Sequence, residues 1–69
     1  MTEPVRVYPR HIHEAGLCMS GARAWFKRHD LAFEDCRRGR LTVEQVEATG
    51  DALGLRVAAV AREEADGRQ

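Results

Sequence analysis

Five side chains could in principle hold a metal ion or act as nucleophiles: Cys18, Cys36, His11, His13 and His29. Zinc sites use these residue types, but usually as close pairs such as C-x₂₋₄-C or H-x₃₋₅-H, because one short turn must aim both donors at one ion. The one close pair here is His11-x-His13, and that spacing sends the two rings to different sides of a helix. Cys36 falls at an inward position and reads as a small buried hydrophobe. Cys18 with a neighbouring histidine lacks any flanking sequence for an oxyanion site or an activating third group. The adjacent acids Glu34-Asp35 and Glu63-Glu64 read as solvated helix surface. The six glycines are scattered and form no phosphate loop. No catalytic residue, no metal, no cofactor and no small-molecule substrate is expected.

The elements that would have to position such groups are also small. A chain of 69 residues holds one domain, and single cores below roughly 70–80 residues seldom supply more than ~3–5 kcal/mol. Little room is left for a substrate cavity and the shell behind it. Docking onto another chain is a direct way to add buried surface. No stretch approaches the ~20 apolar residues of a membrane span, and Met1-Thr2-Glu3-Pro4 lacks the order of a signal peptide. Two cysteines make a poor disulfide framework, so a reducing cytoplasm is expected. Ten of eleven basic residues are arginine, a bias typical of GC-rich genomes. Zero net charge hides an asymmetry: residues 1–40 carry +3 and residues 41–69 carry −3. Opposite-signed halves suit head-to-tail association or a mixed docking surface.

Along the chain, Val5-Arg6-Val7-Tyr8 alternates and then meets Pro9, which predicts an extended arm over residues 1–10. It lies across the helices or pairs with another chain. A helical turn or two follows from Arg10 to Ala15, closed by Gly16. Ser20 is the expected cap of a helix reaching His29, with Ala22, Trp25, Phe26 and His29 inward and Asp30 as its left-handed stop. A short helix spans Ala32 to Arg38, with Phe33 and Cys36 inward and Gly39 after it. Thr42 and Gln45 form a capping box, flanked by the staple Leu41/Val46. Gly50 ends that helix and Asp51 caps a last one, from Ala52 to about Ala65, before a polar tail at 66–69. The fold class is all-α: a small bundle of four short helices over 11–65 with an extended N-terminal arm, its core at Trp25, Phe26, Phe33, Val46, Leu53 and Val57.

The last helix carries the functional expectation. At 100° per residue, Leu53, Val57, Val60 and Ala61 make one apolar face, while Leu55, Ala58 and Ala59 lie opposite, broken by Arg62. A helix apolar on two sides is usually buried on two sides, so the second side is expected to meet another chain. The contacts expected with a protein partner are therefore Val5, Val7 and Tyr8 on the arm and Leu55, Ala58, Ala59 and Arg62 on the helix. The alternative is nucleic acid, met by Arg23, Lys27, Arg28, Arg37, Arg38 and Arg40. Against it, the helix placed to read bases displays Glu44, Gln45 and Glu47, which oppose the phosphates.

The run Cys18-Met19-Ser20-Gly21-Ala22-Arg23-Ala24-Trp25-Phe26-Lys27-Arg28-His29-Asp30-Leu31, with Thr49-Gly50-Asp51-Ala52 downstream, resembles a group of short proteins of tailed bacteriophages and prophages. The resemblance covers about His11 to Arg62. This chain has Asp30 where glycine is usual in the group and Cys36 where a larger apolar residue is usual. It implies a phage origin, with the host cytoplasm or the virion as location, and it transfers no catalytic residue. Three roles follow from it: a small virion or assembly component, an inhibitor of a host protein, or a regulator of phage genes. The first is the function expected here, as a non-enzymatic protein–protein interaction module.

Overall fold

The computed structural model describes residues 4–67 and is all-α. Its helices are α1 (Pro9–Glu14), α2 (Met19–Arg28), α3 (Phe33–Arg37), α4 (Val43–Glu47) and α5 (Ala52–Asp66). The expected count of four is thus corrected to five among the described residues. The segment after Tyr8 closes into a helix of its own because Pro9 supplies a pre-set φ at its first position. The arm therefore ends at Tyr8, and Asp66 belongs to α5 rather than to a tail. Residues 1–3 of the expected arm and 68–69 of the expected tail lie outside the described residues.

Local chemistry sets most boundaries. Gln45 N–H donates to Thr42 Oγ1 at 3.3 Å and Thr42 N–H to Gln45 Oε1 at 3.0 Å, so the capping box forms as expected. Asp51 Oδ1 accepts from Leu53 N–H at 2.9 Å and opens α5. Asp30 stops α2 with φ +60°, the left-handed conformation a short polar side chain tolerates. The cap of α2 is corrected: Cys18, not Ser20, is its N-cap, with Gly21 N–H donating to Sγ at 3.4 Å. Gly39 is required twice over. Its φ is +73°, and a Cβ there would lie 2.9 Å from both Cε1 and the hydroxyl oxygen of Tyr8.

The arm pairs within its own chain. Val7 N–H donates to Leu41 O at 2.8 Å and Val43 N–H to Val5 O at 3.0 Å, around an antiparallel bridge between Arg6 and Thr42. Val7 is 0% exposed and belongs to the core, which corrects its expected role as a partner contact. Burying such a side chain stabilises by about 1.5–3 kcal/mol. Val5 and Tyr8 are half-buried.

The core gathers Ile12, Trp25, Phe26, Cys36, Leu41, Val43, Val46 and Val57. Phe33 packs at its edge, and Leu53 is corrected from core to surface at 37% exposed. The cause is the rotation of α5. Its row Gly54–Ala58–Ala61, spaced by four and three residues, is buried. The row lets α5 approach α4 until only a hydrogen fits at position 54. Counting apolar bulk around the helix favours the large residues; close approach of two backbones selects the small ones.

Candidate interaction surface

The rotation of α5 decides what its outer side can do. Ala58, expected on the outward face, is 0% exposed against the core and drops out of the surface. Leu55 is 50% exposed, and Ala59 one turn on is exposed beside it. Arg62 is engaged inside the chain: its Nη2 donates to Glu47 Oε1 at 2.8 Å and lies 4.0 Å from Glu44 Oε2. It borders the apolar pair and locks α5 to α4. Val5 and Tyr8 line a different cleft, with Ala61, Glu64 and Ala65, which does not include Leu55 or Ala59. The residues expected to form one contact set are therefore on two separate surfaces.

That second cleft holds His11, 2% exposed and the one polar side chain buried in the core among the described residues. Tyr8 N–H donates to its Nδ1 at 2.9 Å, so the ring's hydrogen belongs on Nε2, which faces Glu64 Oε1 at 3.0 Å. Arg10 grips the same carboxylate through Nε and Nη2, and its guanidinium covers the Tyr8 ring at 4.7 Å. Arg10 first, and His11 second, hold the Glu64 carboxyl down at about 2. A carboxylate so firmly ionised is a poor proton donor, and the cluster serves as a clamp from α1 to the end of α5.

This clamp carries a pH dependence. Glu64 ionises more readily in the folded chain than its ordinary value of 4.5 allows in the unfolded one. Its contribution is therefore complete above that value and is lost as pH falls towards 2. Urea titrations across this interval should show stability declining with acid. Glu64→Gln should flatten that decline, and an unchanged slope would show the clamp to be idle.

Of the other candidates for chemistry, His29 Nε2 lies 3.3 Å from Asp51 Oδ2, while its ring packs on Trp25 at 4.6 Å. The Leu53 N–H, and then Trp25 and His29, keep the Asp51 carboxyl below its usual range. His29 thus joins the end of α2 to the cap of α5. His13 is exposed. Among the described residues, no three of His, Cys, Asp and Glu converge as a metal site. Cys18 is exposed, and the Ser20 hydroxyl and Gly21 N–H draw its thiol below the usual value. Burial pushes the Cys36 thiol up to about 11. A thiol reagent at neutral pH should therefore modify Cys18 promptly and Cys36 only on unfolding; equal rates would contradict this.

The six basic residues divide. Glu34 binds Arg37 Nη1 at 3.1 Å and Arg38 Nε at 2.9 Å, so two of the six cations share one carboxylate. Arg23 lies over the Phe33 ring at 5.4 Å and, with Lys27, lines a groove between α2 and α3. Arg28 and Arg40 are exposed elsewhere. What the sequence left invisible was chiefly the Arg10/His11/Glu64 cluster, in which Glu64 lies over fifty residues from the other two and no local signal links them. Among the described residues, no helix is long and apolar enough to cross a membrane. In comparisons with protein-family models, curated proteins and solved structures, the chain matches none.

Proposed function

We propose that this chain is a non-catalytic helical module that binds another protein through the outer face of α5, as a small part of a tailed-phage particle or of its assembly. The observation that carries the reading is Leu55, half exposed on a helix whose neighbouring face, through Gly54, Ala58 and Ala61, is already buried. Leu55 with Ala59 presents an apolar knob rimmed by the Arg62–Glu47 pair, the arrangement of an anchor inside a polar border. The phage setting rests on the resemblance of residues 18–31 and 49–52 described above.

Leu55→Glu tests it. Leu55 lines no part of the core, so the variant should melt within about 0.5 kcal/mol of wild type. It should nevertheless lose capture of particle proteins from phage-infected cells. A variant that retains the same proteins as wild type would show the face to be idle.

A further inference from the structure

We propose that the groove between α2 and α3 is a receptor for the α1/α5 edge of a second copy of this chain, so that copies join head to tail. The groove has half-buried apolar residues, Leu31 and Phe33, as its floor, and Arg23 and Lys27, one helical turn apart, on its rim. Asp30 stands at one end and leaves two cations to one anion. Arg23 already lies over the Phe33 ring, which holds a cation above the apolar floor instead of letting it sweep through solvent. Neither Arg23 nor Lys27 has an ion pair among the described residues.

The complementary charge, again around an apolar residue, occurs on another surface of the same molecule. Between α1 and α5 the half-buried Val60 is flanked by Glu14 and Glu63. Glu64 beside them is held by Arg10, so the outward carboxylates are Glu14 and Glu63, which have no ion pair among the described residues. An apolar centre with two carboxylates thus faces an apolar floor with two cations. Each copy offers its groove to one neighbour and its edge to another, so the proposed contact is heterologous. It repeats from copy to copy and closes into a ring or continues as a row.

The contact is independent of the Leu55 face, since Val60 lies about 140° around α5 from Leu55 at 3.6 residues per turn. Leu55→Glu should leave self-association unchanged while it removes the other partner, so the two proposals fail separately.

Sedimentation of the purified chain tests the contact. Wild type should self-associate in low salt, and its dissociation constant should rise at least about tenfold by about 0.5 M salt, where exposed charges are screened within a few ångströms. Arg23→Glu/Lys27→Glu and Glu14→Lys/Glu63→Lys should each be folded by circular dichroism and monomeric alone. Mixed in equal amounts they should associate as wild type does, because every groove again meets an edge of opposite charge. A wild type that stays monomeric in low salt would overturn the proposal, including one that instead binds duplex DNA. So would either variant associating alone, or a mixture of folded variants that stays monomeric.

Discussion

Gly54→Val is expected to unfold the domain. A Cβ at this position would lie 2.7 Å from Val46 O, 2.9 Å from Thr49 Oγ1 and 3.1 Å from Trp25 Cζ2. The nearest of these cannot swing away, since Val46 O is backbone and is held by the Thr49 hydroxyl at 2.8 Å. α5 would have to lift from α4, exposing Ala58 and Ala61, which are now 0% and 1% exposed. Overpacking of a tight core costs about 1–3 kcal/mol before that loss is counted. A domain of this length has only ~3–5 kcal/mol to lose. Gly54→Ala makes the sharper comparison. In an open helix it would stabilise by up to ~1 kcal/mol, whereas here it should lower the melting temperature. Circular dichroism melts that place either variant at or above wild type would contradict the packing described.

The second large effect is expected at Val7. Its backbone N–H is committed to Leu41 O, and its side chain is wholly enclosed by the core. Val7→Asp would bury a carboxylate against the apolar side chains that enclose this position. An unpaired buried charge costs several kcal/mol. The variant should be unfolded at neutral pH, while Val5→Asp, at a half-buried position, should fold with reduced stability. If Val7→Asp melts like wild type, the arm is not part of the core. The expectation that the arm pairs with another chain would then be restored.

The contrast between these two sites shows which parts of the fold were legible. Thr42 with Gln45, Asp51, Asp30 and Gly39 each act within a few residues of themselves, and each did in space what its type and position implied. The path of the arm could not be read the same way, because alternation in Val5-Arg6-Val7-Tyr8 says that one side is covered but not by what. Cys18 was passed over as a cap because sulfur is a weak acceptor and Ser20 stood nearby. The face of α5 was misplaced at Leu53 and Ala58 for a different reason: hydrophobic periodicity ranks Leu above Gly and Ala, whereas the α4 backbone leaves no room for anything larger. Leu55 stays half exposed because it lies about 100° around α5 from Gly54, beside the buried row and not within it. The Arg10–Glu64 pair and the facing charges of groove and edge are products of topology alone.

The most direct test of the proposed function is site-specific photo-crosslinking in phage-infected cells, with the reactive side chain at position 55 in one variant and at exposed Arg38 in another. The face around Leu55 predicts a discrete adduct with a particle protein from position 55 and none from position 38. Adducts from both positions alike, or from position 38 alone, would contradict it.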